Sequence, residues 1–464
     1  MQNKDTNKVK ELQKEIVNLK KELKNKDKEI EYLHWFYGNE LNKINFTRFL
    51  RLNFYYLRYY GFWKYIKQVV KNFLGIFSII NQRHKRLKKC KEIRKQLKTI
   101  LKNNKKKQIF VFYPGYDWYM KMYQRPQHMA VHFSEENILF FYCTANWNDK
   151  VDGFEHIKEN LYVTNEYKLL KEMIPHYTLY LYANENGCYL NELKDILSKG
   201  NNLLYEYIDD LHEDLTDISK ELMERHKWVL KNKNIPIIAT ASYLYKKAAK
   251  IRGSEKNLLL STNGVVYEDF HITKDLPVPD KIKKIVAQKK PIIGYYGALA
   301  KWFDYPLVEK MAKEHPEWNI LLIGIIYDDS FAKYKYFKDL KNVHYIGTVD
   351  YKELVKYGNC CNVLTIPFLI NEITLSTSPV KVFEYMSMEK PIVTTDLPEC
   401  RKYKSVMIAK DHNDFIEKVK IGIELQNDEI YKEILRKEAL TNTWTSKVKE
   451  ILEFIKKGET KNEK

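Results

Sequence analysis

The chain has 464 residues, a length that predicts two or three domains rather than one. Apolar residues make up 44% of it and it contains only 16 Gly and 13 Pro, which excludes disordered, collagen-like and low-complexity proteins. The net charge of +19 would suit a nucleic-acid binder, but residues 1–108 hold 29 basic and 9 acidic residues, whereas residues 109–464 hold 50 and 51.

Residues 1–40 carry a heptad pattern with charged flanks. Lys26 occupies the one missed position of the apolar seam. We expect a short coiled coil and a homo-oligomer formed through residues 8–35, the alternative being a single solvated helix with a weak apolar stripe. The apolar positions, spaced by four and three residues, are Leu12, Ile16, Leu19, Leu23, Ile30 and Leu33.

Residues 41–107 interleave aromatic and basic side chains. Lysines interrupt the apolar stretch over residues 45–81, so it does not reach the 18 uninterrupted apolar residues of a membrane-spanning helix. A basic, aromatic, amphipathic helix typically lies in a membrane interface, where each basic residue near an anionic surface contributes about 1 kcal/mol. We expect this segment to bind an anionic membrane surface. Packing against the following domain is the alternative, and nucleic acid is the least favoured partner.

From residue 108 onward, short apolar strands alternate with helical segments. Such alternation predicts an α/β fold with a parallel, doubly wound sheet covered on both faces. Residues 108–270 should therefore form an N-terminal Rossmann-like domain. Its strand signals lie at residues 108–113, 137–143, 161–164, 177–183, 203–208, 236–241 and 257–262.

A lysine-rich linker with two prolines, residues 271–290, separates this series from a second one. Residues 291–440 should form a C-terminal Rossmann-like domain, and residues 441–464 a C-terminal helix and tail. Ligands of such sheets bind outside the carboxyl ends of the strands, so we expect a site in the cleft between the two domains. The second strand series lies at residues 291–297, 318–324, 343–347, 362–368, 391–396 and 406–409.

The segment over residues 371–396 carries the strongest signal for chemistry. A strand ends, a polar loop follows, and Pro379 indicates the first turn of a helix. Ser or Thr before proline is a good N-cap, and the free N–H groups and the dipole of the helix would favour a phosphate. Lys381 and Glu384 share a helix face and could hold a diphosphate and ribose hydroxyls; an ordinary capped helix with an exposed ion pair is the alternative. The hydroxyl residues of the loop are Thr374, Ser376, Thr377 and Ser378.

The run SPVKVFEYMSMEKPIVTTDLPE, residues 378–399, resembles the donor-binding segment of GT-B glycosyltransferases of the family 4-like group. That family has the form P-x-K-hydrophobic-x-E-Y-x-A-x-G-K-P-V-V. Residues 294–324 resemble the first strand, helix and strand of the donor domain, and NVHYIG and STNGVVYEDF resemble further segments of the family in the right order. The runs DWYMKMYQRPQHMA and LLYEYIDD are similar to bacterial cell-surface polysaccharide transferases such as teichuronic acid enzymes. The resemblance covers residues 108–457 and implies the GT-B fold.

The resemblance implies roles for individual residues at the positions that match the family's motifs. Glu384 matches the second glutamate of E-x7-E, which binds the ribose, whereas Ser376 stands where the first should be. Lys381 matches a lysine that contacts phosphate. In the pattern G-R-L-x-x-x-K-G, Phe303 replaces the lysine, so Lys301 is expected to substitute for it. The expected nucleotide-binding residues are Gly297, Ser376, Thr377, Ser378, Lys381 and Glu384.

Sugar transfer needs charge stabilisation of the departing diphosphate and can need a base for the acceptor hydroxyl. Lys381, Lys301 and the helix terminus can supply the charge. Asp209, which follows a strand, is the leading candidate for the base, unless it serves as a local cap or partner of arginine. Weaker candidates and acceptor-side residues are Asp210, Asp117 and His128, together with Arg125, which could bind an anionic acceptor or only pair with an acid.

The resemblance implies transfer of a sugar from a nucleotide-sugar donor, UDP- or GDP-linked, to a hydroxyl of a glycan acceptor that is lipid-linked. A catalytically inactive GT-B scaffold and a nucleotide-sugar epimerase on the same fold are the alternatives. We predict no required cofactor and no essential metal. The six cysteines form no C-x-x-C pair, and the acidic run over residues 209–214 ends a strand rather than lying on a helix. The expected location is the cytoplasm, peripheral on the inner face of the plasma membrane.

Overall fold

A computed structural model describes residues 85–120, 123–211, 218–272, 276–333, 337 and 339–462 of the chain. The predicted coiled coil and residues 41–84 of the predicted membrane segment lie outside the described residues. The chain divides into two compact units, residues 1–92 and residues 93–464. Both sheets belong to the second unit.

The first sheet has eight strands in the order β3-β4-β2-β1-β5-β6-β7-β8. All pairs are parallel except β3 and β4, which are antiparallel. The strands are β1 (Ile109–Tyr116), β2 (Leu139–Thr144), β3 (Phe154–Lys158), β4 (Leu161–Thr164), β5 (Thr178–Tyr182), β6 (Asn202–Tyr207), β7 (Ile237–Ala239) and β8 (Leu258–Leu260). Because β2 and β5 lie on opposite sides of β1, the point at which the strand order reverses is between β1 and β5.

The second sheet has six strands, all parallel, in the order β11-β10-β9-β12-β13-β14. Its strand order reverses between β9 and β12. The strands are β9 (Ile292–Tyr296), β10 (Asn319–Ile323), β11 (Val343–Tyr345), β12 (Val363–Ile366), β13 (Ile392–Thr395) and β14 (Val406–Ala409). Two parallel-dominated, doubly wound sheets are thus confirmed as the fold. The edge strand β3 was not predicted, since its half-exposed sequence FEHIK lacks an apolar run.

Helices connect the strands and cover the sheets. Those of the first part are α1 (Arg125–Glu135), α2 (Tyr167–Met173), α3 (Leu190–Ser198), α4 (Lys220–Lys231), α5 (Ser242–Arg252) and α6 (Tyr267–Phe270). Those of the second part are α7 (Lys283–Val286), α8 (Tyr305–Glu314), α9 (Ser330–Lys333), α10 (Leu354–Asn359), α11 (Glu372–Leu375), α12 (Val380–Ser387), α13 (His412–Leu425) and α14 (Glu429–Thr441). A last helix, α15 (Trp444–Asn462), follows them.

A helix over residues 85–103 lies before β1, and its residues 93–103 pack on the first sheet. Leu97 is fully buried and Ile100 nearly so, in the core beneath β1, β2 and β5. Arg94 pairs with Glu172 at 2.7 Å. This end of the 41–107 segment therefore packs on the first sheet.

The chain returns to the first domain at its end. Thr443 pairs with Val265 in a parallel bridge, and α15 then packs on α1. The buried side chains of α15 join the core of the first sheet: Trp444, Val448, Ile451 and Ile455. The helix that follows the second domain in sequence thus completes the core of the first, which no local pattern indicates.

Candidate functional site between the carboxyl ends of two sheets

The carboxyl end of β9 is a place where backbone and side chains approach closely. Gly297 has φ +143°, a region that favours glycine, and so does Gly324 at the end of β10. A Cβ atom at Gly324 would lie 1.8 Å from the Gly297 carbonyl oxygen. A Cβ atom at Gly297 would lie 2.2 Å from Cε of Lys381. Both glycines are therefore required by the packing at this edge.

Lys381, on the first turn of α12, extends over Gly297 at the strand-order reversal between β9 and β12. Its Nζ lies 5.7 Å from the ring centre of Tyr295 and 5.6 Å from that of Phe368. Burial lowers the pKa of Lys381, and Glu384 opposes that shift. Within the described part of the chain, no hydrogen bond or ion pair to this ammonium group is found. The Lys381 ammonium group, held between two aromatic rings and the backbone of Gly297, can therefore bind a phosphate.

Glu384 is only 5% exposed and lies one turn after Lys381 on α12. Burial raises the pKa of its carboxyl to about 7, while Tyr296 and Lys381 act in the opposite direction. Tyr296 is buried beside it, and its hydroxyl makes no hydrogen bond of normal geometry to another described residue. A buried carboxyl and an unsatisfied hydroxyl therefore stand together where a ligand could supply the missing partners.

The N-terminus of α12 differs in detail from the prediction. The helix begins at Val380, Pro379 is its N-cap rather than part of its first turn, and no side chain caps it. The hydroxyls of Ser376 and Thr377 instead donate to the carbonyl of Ile373, each at 2.8 Å. The predicted Ser/Thr cap is thus wrong, because these hydroxyls close the preceding turn. Among the described residues, no side chain caps the first N–H groups of α12.

Lys301 lies in the turn after β9 and is exposed. Its backbone N–H donates to Asp328 Oδ2 at 3.0 Å, and its charge is attracted by the same carboxylate. Phe303, at the position of the family's lysine, is 1% exposed in the core. Lys301 is thus placed beside Asp328, whereas the ammonium held over Gly297 is that of Lys381.

On the first sheet, Asp209 and Asp210 follow β6 and have different environments. Asp210 is buried, accepts from the Tyr207 hydroxyl at 2.6 Å and pairs with Lys247 at 2.7 Å. Asp209 is half-buried and accepts no hydrogen bond from another described residue. Burial, aided by Asp210, raises the pKa of Asp209 to about 6. At neutral pH Asp209 is mainly ionised and able to accept a proton.

Asp117 and Arg125 have structural partners. Asp117 accepts from the backbone N–H groups of Trp147 and Asn148 at 2.9 and 2.8 Å, which holds the loop after β2. Arg125 is 3% exposed, and its Nε donates to Glu206 Oε1 at 2.8 Å. Of the two alternatives for Arg125, the structure thus shows the pairing with an acid. Both side chains are thus engaged by other residues of the first domain.

His128 lies between the two domains. Its ring stacks on Trp444 of α15 at 4.8 Å and meets Tyr123 edge-on at 4.6 Å, with Tyr351 of the second domain at 5.9 Å. Burial, with His132 and Arg125 adding to the effect, lowers the pKa of His128 to about 3. The imidazole is therefore neutral, and its contacts are those of a packing residue in the cleft wall.

Two functional candidates were missed in the sequence. The Glu185 carboxylate lies over Gly115 at the strand-order reversal of the first sheet, since a Cβ atom at Gly115 would meet Glu185 Oε2 at 1.7 Å. Burial raises the pKa of Glu185. Asn263, after β8, donates through Nδ2 to the Ser378 carbonyl at 2.6 Å and accepts from Arg125 at 3.1 Å. The polar run after β5 is the signal in the sequence that could have indicated Glu185. The strand order is also needed, because it shows that this run lies at the reversal between β1 and β5.

These contacts bring the carboxyl edges of both sheets together. The loop after β8 meets the start of α12 through Asn263 and Ser378. The N-terminus of α5 meets the turn after β13, where the Ser242 N–H donates to Glu399 at 2.5 Å. Asp209, Glu185, Lys381 and Glu384 therefore all follow strands whose ends border one cleft.

Two features are absent from the described part of the chain. No group of three or more His, Cys, Asp or Glu side chains is placed to hold a metal ion in the described ranges. No helix in that same part of the chain is long and apolar enough to cross a membrane.

Residues 290–423 match the family described as glycosyl transferases group 1. The chain is also similar to TuaH of Bacillus subtilis strain 168, which is assigned to teichuronic acid biosynthesis as a glycosyltransferase. The two are 25% identical over 265 residues, which is 54% of this chain and 66%, just under two thirds, of the relative. The match to this family thus lies within the second domain.

Solved structures share the fold. Sucrose-phosphate synthase from Thermosynechococcus elongatus superposes with a TM-score of 0.54 at 13% identity, over 76% of this chain and 99% of that one. Anabaena Alr3699/HepE in complex with UDP superposes with a TM-score of 0.53 at 13% identity, over 76% and 100%. A second HepE structure contains UDP-glucose. At these identities the likeness establishes the GT-B fold.

Proposed function

We propose that this chain, whose residues 290–423 form a group 1 glycosyltransferase domain on a GT-B fold, transfers a sugar from a UDP-sugar to a hydroxyl of a bacterial cell-surface glycan. The observation that carries the proposal is Lys381, held over Gly297 beside buried Glu384. The UDP and UDP-glucose complexes of HepE favour uridine over guanosine in the donor. The likeness to TuaH supports a cell-envelope polysaccharide as acceptor, which we propose is lipid-linked.

Each group has a role in this proposal. Lys381 and the uncapped N–H groups of α12 stabilise the charge that develops on the departing diphosphate. Glu384 accepts hydrogen bonds from the ribose hydroxyls, with Tyr296 beside it. Asp209 accepts the proton of the acceptor hydroxyl, and its pKa of about 6 suits that step near neutral pH. Since Lys381 and α12 supply positive charge, we propose that transfer needs no divalent cation.

The test is donor binding, measured as a thermal shift with UDP- and GDP-sugars, with and without EDTA. Saturation at 100 times the dissociation constant should stabilise the protein by about 2.7 kcal/mol. Lys381→Ala and Glu384→Ala should each lose most of the shift because the contacts to diphosphate and ribose are gone. Lys410→Ala, an exposed lysine after β14, is the matched control and should keep the shift.

Three results would contradict parts of the proposal. Unchanged donor affinity in both variants would remove the site assignment. A shift abolished by EDTA would show that a metal is needed. No shift with any donor would favour the inactive GT-B scaffold.

A further inference from the structure

Two aspartates hold the loops after β1 and β2 together, because each carboxylate accepts hydrogen bonds from the backbone of the other loop. Asp117, from the first loop, accepts from the backbone N–H groups of Trp147 and Asn148 in the second. Asp149, from the second loop, accepts from the backbone N–H of Tyr119 at 2.9 Å and from that of the preceding residue. Four backbone donors are thus fixed by two carboxylates, which makes this pair of loops rigid.

This rigid frame presents large side chains to solvent. Trp147 is 76% exposed, Tyr119 54% and Met120 39%. By contrast, Trp118 in the same loop is buried and packs on Tyr142 with ring centres 5.0 Å apart. An exposed indole and an exposed phenol on neighbouring loops, held by buried Asp117 and half-buried Asp149, mark a binding surface rather than packing.

The frame lies at the acceptor side of the cleft. β1 and β2 are adjacent and parallel, so their following loops leave the same edge of the sheet as Asp209 does after β6. Tyr116, the last residue of β1, is close enough to Asp209 for that charge to raise the pKa of its phenol. The loop after β1 also reaches Tyr123, whose ring lies 6.1 Å from Tyr351 of the second domain.

The chemistry of the frame favours a neutral sugar over a lipid surface. The hydroxyl of Tyr119 donates to Glu155, which sets a carboxylate beside that ring. Carboxylates repel anionic headgroups, whereas they accept hydrogen bonds from sugar hydroxyls. The face of an aromatic ring meets the C–H groups of a sugar ring through dispersion and weak C–H contacts.

We propose that Trp147 and Tyr119 form an aromatic platform on which a neutral sugar ring of the acceptor glycan stacks. The platform rests on the proposed function, since it extends the acceptor side of that site. It would hold a ring at a distance from the reacting hydroxyl and thereby select an oligosaccharide over a monosaccharide.

The test uses the full-length protein with maltotetraose, cellotetraose and chitotetraose as probes, in saturation-transfer NMR titrations. We expect at least one probe to bind, Trp147→Ala and Tyr119→Ala to raise its Kd at least tenfold, and Trp147→Phe to retain part of the affinity. Tyr189→Ala, which removes an equally exposed tyrosine outside the two loops, is the matched control and should leave Kd unchanged. All four variants, at three exposed positions, should keep the melting temperature of the wild type.

Three outcomes would overturn the platform. The first is that the wild type binds none of the three probes. The second is that Tyr189→Ala loses as much affinity for the oligosaccharide as Trp147→Ala does. The third is that Trp147→Ala keeps its oligosaccharide binding but no longer binds vesicles of 30% phosphatidylglycerol. The UDP thermal shift is measured in parallel. If the wild type shifts with UDP but binds no oligosaccharide, only the platform proposal is rejected. If it shows no thermal shift with any nucleotide, the proposed function is rejected as well.

Discussion

Burial decides the charge of the two carboxyl groups that carry most of the proposed chemistry. Glu384 has its pKa raised to about 7 inside the second domain, and Asp209 to about 6 at the edge of the first. Asp210, next to Asp209 in sequence, is instead paired with Lys247. Neighbouring residues of one type thus differ in role because one is neutralised by a partner and the other is not.

Glu384→Gln should change how stability depends on pH. The pKa of Glu384 is raised from 4.5 to about 7 on folding, so the folded state binds this proton more tightly than the unfolded state does. The resulting stabilisation is full below pH 4.5 and is lost as pH rises to about 7. Relative to wild type, Glu384→Gln should therefore gain up to about 3 kcal/mol in the free energy of unfolding across this window.

Urea unfolding of both proteins between pH 4.5 and 8 measures this difference. Glu424→Gln, at an exposed position, is the control and should follow the wild type at every pH. If the free energy of unfolding changes with pH in the same way for wild type and Glu384→Gln, Glu384 does not titrate in this range.

At the scale of elements, the start of α12 is fixed by contacts from the other domain. Glu206 on β6 pairs with Arg125 on α1, Arg125 donates to Asn263 after β8, and Asn263 donates to the carbonyl of Ser378. The guanidinium also lies 5.5 Å from the ring centre of Trp444. This chain of contacts sets where Lys381 and Glu384 stand relative to the first sheet.

Asn263→Ala should weaken donor binding although Asn263 touches no proposed donor group. The variant loses the bonds to Ser378 and Arg125, and a bond to a charged group is worth about 1.5–3 kcal/mol. We expect a five- to fiftyfold rise in the Kd for UDP by calorimetry. Asn342→Ala is the control, because its Nδ2 donates to three carbonyls within the second domain at 3.0–3.2 Å.

Asn342→Ala should lower the melting temperature with unchanged Kd for UDP. If Asn263→Ala behaves in the same way, the contact with Ser378 is a domain tether without effect on the nucleotide site.

For the whole molecule, the charge is divided along the chain. Residues 1–92 contain 22 of the 29 basic residues that precede residue 109. Residues 93–103 pack on the first sheet through Leu97 and Ile100, so a truncation that tests the leader should stop before them. The second compact unit begins at Ile93, which gives the natural boundary.

A variant of residues 93–464 should lose most of its binding to vesicles of 30% phosphatidylglycerol and keep its UDP thermal shift. Removal of 22 basic residues takes away most of the electrostatic attraction. Co-sedimentation measures vesicle binding, and pure phosphatidylcholine vesicles are the control, which should bind neither protein strongly. Undiminished binding to the anionic vesicles would place the membrane contact on the α/β domains.

The sequence alone determined the features that depend on neighbouring residues. Apolar runs of strand length gave thirteen of the fourteen strands of the two sheets, and the i,i+3 spacing placed Lys381 and Glu384 on one face of α12. Both are local properties, since backbone geometry repeats within a few residues. The confinement of the net positive charge to the first 108 residues is likewise a matter of order along the chain.

Only the tertiary structure decided which distant residues meet. Arg125 and Glu206 are 81 residues apart, and the loops of Asp117 and Asp149 are brought together by the pairing of β1 with β2. The sequence does not show whether Asp117 is structural or catalytic. Its role depends on the hydrogen-bond donors near it, and the pairing of β1 with β2 brings the N–H groups of the loop after β2 to its carboxylate. The return of α15 to the first core has the same cause: an apolar helix face specifies burial but not the partner that buries it.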